Sequence, residues 1–249
     1  MFELHGRVAL VTGAGQNVGA GIARMLAGQG AAVAVNDLRV ERAEAVVEEI
    51  RAVGGTATAV GFDVTDYEAV VAGVAAAEAA LGPVDILVNN AGNGGEHGMQ
   101  PTQFKDSDPA SWRGAIDVNL YGVMHCSRAV INGMVDRGWG RVITIASGAG
   151  TIGLNIGVAP YGGGKGGAIG FMRHFAIENA RAGVTANSLA IGLMTNPSQT
   201  VTAALAKSIP VGRTGVPDDV AAACVYLASA EAAWVTGQTI EINGGAVTT

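Results

Sequence analysis

The chain has 249 residues, of which 49% are hydrophobic and 38 are glycine, enough apolar material for one large α/β domain or two small ones. An excess of 21 acids over 15 Lys and Arg leaves a formal charge of −6, which argues against nucleic acid or an anionic membrane as the main partner. No apolar run approaches the ~20 residues of a membrane span. The N-terminus carries an acid, Glu3, in place of the basic and apolar runs of an export signal. A soluble, cytoplasmic protein is expected.

Strand-like and helix-like segments alternate along the chain. Val8–Val11 is a short apolar strand and Val18–Gln29 a helix; Ala32–Val35 is the next strand, and Glu41–Val53 an amphipathic helix. Between them, Thr12 to Gly19 is a glycine-rich turn with the spacing Gly13-x-Gly15-x-x-x-Gly19. Small residues there let the backbone approach a pyrophosphate, whose charge is favoured at a helix N-terminus. Asp37 follows the second strand at the distance where a carboxylate accepts the adenosine ribose hydroxyls and repels a 2′-phosphate. Arg39 is the competing signal, because a guanidinium accepts a 2′-phosphate. Gln16 occupies the turn in place of a basic residue, and NAD is the expected cofactor.

The rhythm continues with Thr58–Phe62, a helix over Tyr67–Ala80, and Val84–Val88. A long helix is predicted over Trp112–Val135, then a strand at Val142–Ala146, a helix at Tyr161–Asn179 and a strand at Thr185–Ala190. Asp218–Leu227 and Gln238–Ile242 close the series as helix and strand. Apolar strands separated by helices predict a doubly wound, Rossmann-like α/β fold: about seven parallel strands with helices on both faces. No linker or repeat interrupts residues 1–249, so one domain is expected. Two irregular stretches, about 93–111 and 191–212, leave the carboxyl ends of strands and are the expected substrate loops. Cys126 and Cys224 sit in apolar, helix-like surroundings without metal-ligand spacing, and no metal site is expected.

Tyr161 and Lys165 stand four positions apart, one above the other if the segment is helical. An ammonium near a phenol favours the phenolate and lowers a pKa otherwise about 10, as an acid/base at a ketone or alcohol oxygen requires. Glycine fills most of the surrounding helix: Gly162, Gly163, Gly164, Gly166 and Gly167. At roughly 1 kcal/mol each in a helix interior, these make the segment weak on its own.

This ordered set resembles the short-chain dehydrogenase/reductase family over essentially the whole chain. The matching pieces are the glycine turn, Asp63-Val64, Asn89-Asn90-Ala91-Gly92, Asn119, Ser147, Tyr161 and Lys165, with Val235-Thr236-Gly237-Gln238 and Asn243-Gly244-Gly245 near the end. The resemblance implies Tyr161 as acid/base, Ser147 on the substrate oxygen and Lys165 on the nicotinamide ribose. It implies Asn119 as anchor of a proton-relaying water. Implied cofactor contacts are Gly13, Gly15, Gln16, Asn17, Val18 and Gly19 in the turn, then Asp37 and Leu38, then Asp63 and Val64 beside the adenine. Asn90, Ala91, Gly92, Tyr161, Lys165, Gly192 and Met194 complete the set, with Asn90 also readable as a structural tie. Asn17 stands where the family often has Gly, and Ile191 where Pro usually precedes Gly192. The Thr that would hold the carboxamide is displaced, leaving Thr195 and Asn196. His97 could line the substrate mouth or be a solvated loop residue.

The expected activity is NAD(H)-dependent interconversion of a secondary alcohol and a ketone on an apolar, uncharged, for instance alicyclic, substrate. Two alternatives are a 3-oxoacyl thioester reductase serving an acyl carrier protein and a cofactor-bound sensor without turnover. A homotetramer or dimer is expected by resemblance.

Overall fold

The computed structural model describes residues 1–92, 101–195, 203–204 and 206–248. His97 and Asn196 lie outside them, and both expected substrate loops are described only in part. The elements run β1 (Val8–Val11), α1 (Asn17–Gly28), β2 (Ala32–Asp37), α2 (Val40–Ala52), β3 (Thr56–Gly61), α3 (Tyr67–Leu81) and β4 (Ile86–Asn89). They continue with α4 (Trp112–Ile116), α5 (Gly122–Arg137), β5 (Gly140–Ser147), α6 (Ala159–Asn179), β6 (Val184–Ile191), α7 (Pro217–Ala228) and β7 (Thr239–Ile242). All strand pairings are parallel, in the order β3-β2-β1-β4-β5-β6-β7.

Strand residues alternate between two cores because successive side chains point to opposite faces. Ala9 and Val11 join the layer packed by Ile22, Leu26 and Leu227 of α1 and α7, and Val8 and Leu10 the layer packed by Val74, Met134 and Met172 of α3, α5 and α6. Burial on both faces explains why the strands read as continuous apolar runs. Both cysteines are free and buried, one in each layer, and burial pushes the Cys126 thiol up to about 12. Among the described residues, no helix is long and apolar enough to cross a membrane.

The predicted long helix from Trp112 is not continuous. A π-helical turn, Asp117–Tyr121, separates α4 from α5, and such turns place an extra residue in the coil. Gly122 follows it, where a β-carbon would stand 2.8 Å from Val64 Cγ2. The sheet order reverses between β1 and β4, so the carboxyl ends of these strands diverge and leave a crevice.

Candidate active site

That crevice is a cleft of about 790 Å³. Its floor begins at the glycine turn. Gly13 has φ +58°, and a β-carbon there would stand 2.8 Å from Ala91 Cα. Asn90 clamps the same turn, donating from Nδ2 to the Thr12 and Gly13 carbonyls, both at 2.9 Å. The Thr12 hydroxyl accepts from the Asn90 and Ala91 amides at 3.0 and 3.1 Å. The Asn90 side chain is therefore a tie between β4 and the turn, although the residue also lines the cleft. Asn17 has φ +49°, a conformation Asn tolerates better than most residues.

Asp37 is buried at the end of β2. One carboxylate oxygen accepts from Gly15 N at 3.1 Å and the other from Arg39 N at 3.0 Å. It thus holds the glycine turn against the start of α2 while lining the cleft. Arg39 and Arg42 line it beside Asp37. At Gly15 a β-carbon would strike Arg42 Cβ at 2.5 Å, so Gly15 is set by close packing and lies behind the lining.

Gln16, Val18, Gly19, Leu38, Asp63, Val64 and Gly92 all line the cleft. Asp63 Oδ1 accepts from Thr65 N and Oγ1, both at 2.8 Å, which fixes the turn after β3. The Val64 carbonyl is 3.0 Å from His125 Nδ1 on α5.

Ser147, Tyr161 and Lys165 meet on the opposite wall. Ser147 ends β5, and its Oγ accepts from Ala149 N at 3.2 Å. Lys165 is buried and donates from Nζ to the Ile145 carbonyl at 2.6 Å. Asn119, carried inward by the π-turn, is fully buried and donates from Nδ2 to the Ala115 carbonyl at 2.9 Å. It lies behind the cleft wall. A β-carbon at Gly92 would meet Asn119 Oδ1 at 2.6 Å and Lys165 Nζ at 2.9 Å, so Gly92 keeps those two groups next to the cleft.

The electrostatics differ from the expectation in one respect. Burial raises the Tyr161 phenol above its ordinary 10, and a hydrogen bond from Ser147 pulls the other way. Lys165 Nζ lies 5.9 Å from the ring centroid and donates to the Ile145 carbonyl. Lys165 is itself lowered to about 8 by burial.

At the end of β6, Ile191 and Gly192 line the cleft, and the Met194 backbone pairs with Gly215. The Thr195 hydroxyl is engaged by Thr214 at 3.0 Å and the Gly215 carbonyl at 2.9 Å. Sequence reasoning missed Asn36, whose Oδ1 accepts from Gly13 N at 3.3 Å and whose Nδ2 donates to the Val60 and Phe62 carbonyls. Its signal was a polar residue closing an otherwise apolar strand. Arg42 was also missed, for it reads as part of the charged face of α2.

A parallel sheet with a glycine turn at its switch point, and a Ser-Tyr-Lys set across the cleft, define a nucleotide-dependent oxidoreductase. The model of the short chain dehydrogenase family matches residues 7–205, and the chain belongs to that family. It is 38% identical over 245 residues to an acetoacetyl-CoA reductase of Shinella zoogloeoides, covering 96% of this chain and 98% of that one. It is 37% identical over 248 residues to a 3-oxoacyl-(acyl-carrier-protein) reductase of Vibrio harveyi, covering 98% of each. Among solved structures, a gluconate 5-dehydrogenase from Burkholderia cenocepacia in complex with NADP and tartrate superposes with TM-score 0.90. Its identity is 34%, with 98% of this chain and 96% of that one covered.

Proposed function

We propose that the chain is an NAD(H)-dependent oxidoreductase interconverting a secondary alcohol and a ketone, with an apolar, uncharged substrate. The observation that carries this reading is the convergence of Ser147, Tyr161 and Lys165 on one wall of the cleft.

The cleft fits a dinucleotide. The left-handed Gly13 and the close approach of Gly19 to Asn90 and the Gly13 carbonyl leave backbone where side chains would intrude. Gly13, Gln16, Asn17, Val18 and Gly19 would hold the pyrophosphate, and Asp37 and Leu38 the adenosine ribose. Asp63 and Val64 would flank the adenine, and Ala91, Gly92, Tyr161, Lys165 and Gly192 the nicotinamide half. The buried Asp37 carboxylate supports NAD, since it would repel a 2′-phosphate. When bound, the cofactor supplies the hydride acceptor or donor. Tyr161 gives its phenolic proton to the carbonyl oxygen in reduction and takes it from the hydroxyl in oxidation. Ser147 donates to the same oxygen as its charge changes. Burial raises the phenol above its ordinary value, so Tyr161 holds the proton it would donate in reduction. Asn119 backs Lys165 as a proton-relay position.

Lys105, Arg113 and Arg213 on flanking segments are paired with Asp106, Asp117 and Asp219 at 2.7, 3.2 and 2.6 Å. That pairing supports a substrate without carboxylate or phosphate. A second reading, reduction of a 3-oxoacyl thioester, is favoured by the activities named for the two curated relatives. A soluble cytoplasmic homo-oligomer, dimer or tetramer, completes the proposal.

The test is Tyr161→Phe, assayed with NAD(H) and NADP(H) on neutral ketones, their alcohols and acetoacetyl-CoA. Turnover should fall about 100-fold or more, the scale of general acid–base catalysis, with cofactor affinity nearly unchanged. Retention of roughly a tenth of kcat would refute the role of Tyr161. A wild-type preference for the thioester would select the second reading.

A further inference from the structure

Helix α5 grips the cleft wall from behind at Val64. That residue is buried and lines the cleft between Asp63 and Thr65. Its carbonyl accepts from His125 Nδ1 at 3.0 Å. Gly122, three residues before His125 and so on the same face of α5, lets the helix come close, for a β-carbon there would stand 2.8 Å from Val64 Cγ2. One contact holds the side chain of Val64 and the other its carbonyl, about one helical turn apart on α5. The remainder of the turn after β3 is tied within itself. Asp66 N donates to the Asp63 carbonyl at 3.2 Å, and Asp66 Oδ1 accepts from Glu68 N and Ala69 N at the start of α3. The His125 bond joins this turn to α5.

A carbonyl only accepts, so Nδ1 of His125 carries the proton. The orientation of the ring is set by two tyrosines. Tyr67, the first residue of α3, lies 5.5 Å from it, centroid to centroid, at 53°. Tyr121, the last residue of the π-turn, lies at 6.3 Å and 40°. Both are tilted aromatic pairs at ordinary spacings. Asp117 and Val118 of the same π-turn line the cleft. Histidine thus supplies a flat ring for the tyrosines and a donor for Val64 at once, and through it α3, the π-turn and α5 converge on one carbonyl of the cleft wall.

We infer that His125 is a positioning residue for the adenine end of the cofactor: by holding the Val64 carbonyl it fixes the wall against which the adenine rests. The inference rests on the reading of Asp63 and Val64 as the residues that flank the adenine.

Two substitutions separate the donor from the ring. His125→Phe keeps a ring between Tyr67 and Tyr121 and removes the donor. His125→Asn removes the ring and keeps a donor, since Asn Nδ2 stands as many bonds from Cα as His Nδ1. Titration calorimetry with 5′-AMP, and with the dinucleotide that wild type prefers, reads the adenine end without turnover. Both Kd values should rise about fivefold in His125→Phe, the scale of one hydrogen bond, and His125→Asn should recover most of that loss. In turnover, the KM for the cofactor should carry the loss more than kcat does. An unchanged Kd for 5′-AMP in His125→Phe overturns the inference. So does an equal loss in His125→Asn, which would assign the effect to packing of the ring. Wild type that binds neither 5′-AMP nor a dinucleotide would overturn the reading of the cleft itself, and the inference with it.

Discussion

Lys165 carries its charge inside the fold, 5% exposed, with its ammonium on the Ile145 carbonyl. Burial lowers it from 10.5 to about 8. The gap of about 2.5, at about 1.4 kcal/mol per unit, means that charging this amine costs the fold roughly 3 kcal/mol below pH 8. Lys165→Met keeps the chain's length and removes the charge. It also removes the hydrogen bond to Ile145, worth about 1 kcal/mol, so the variant should be about 2 kcal/mol more stable at pH 7. At 2–4 °C per kcal/mol for a chain of this size, Tm should rise by about 4–8 °C. The sign follows from proton counting. Between about 8 and 10.5 the unfolded amine holds a proton that the folded one has released, so wild-type stability rises with pH across that window. The advantage of the methionine variant should therefore be full below about pH 8 and shrink toward pH 10.5. Paired thermal melts of wild type and variant at pH 7 and pH 10 measure it, with turnover lost in the same variant. An equal or lower Tm at pH 7, or an advantage that does not shrink at pH 10, would refute the claim that buried charge is retained here at the expense of stability.

Asp37→Ala should shift preference toward NADP⁺ by about tenfold or more in the ratio of kcat/KM values, the scale of one charge contact, because Arg39 and Arg42 remain beside the vacated carboxylate. It should also weaken NAD⁺ binding by loosening the Gly15 amide, and adding Arg42→Ala should reverse the gain; a wild-type preference for NADP⁺ would contradict the assignment. Gly164→Ala should destabilise by roughly 1–3 kcal/mol, since its β-carbon would meet the Ala115 carbonyl at 3.0 Å and Asn119 Cβ at 3.1 Å. Gly163→Ala meets nothing within 4 Å and should stabilise by about 0.5–1 kcal/mol; urea unfolding of both variants showing the same sign of change would contradict this packing.

The strands were legible because burial on both faces leaves only apolar side chains in them, and the topology follows from their alternation with helices. Tyr161, Ser147 and Lys165 were legible as an ordered set. The π-turn was not: no glycine or proline within Asp117–Tyr121 marks it, and Gly122, packed close to Val64, only follows it. Nor was the direction of the Tyr161 shift, because spacing brings Tyr and Lys onto one face without fixing where the ammonium points. Ile145, twenty residues upstream, takes that ammonium. Met194, expected at the cofactor, has its backbone paired with Gly215, a pairing between distant segments that local sequence does not announce.

The glycines of α6 connect these observations. In sequence they mark a weak helix, and in the structure they divide by what lies opposite. Gly162 and Gly166 face the Ala149 and Gly150 carbonyls, Gly164 faces Ala115 and Asn119, and Gly167 rests on Leu120. The turn after Ser147 thus presses on one side of α6, and the π-turn that carries Asn119 presses on the other. A β-carbon at any of them would stand 2.8–3.3 Å from the neighbour it faces, so that the neighbour or the helix would have to yield. The helix gives up roughly 1 kcal/mol of intrinsic stability per glycine for an approach that only a bare backbone permits. The residues that weaken α6 in isolation are therefore the ones that let it pack closely beside Ser147 and Asn119.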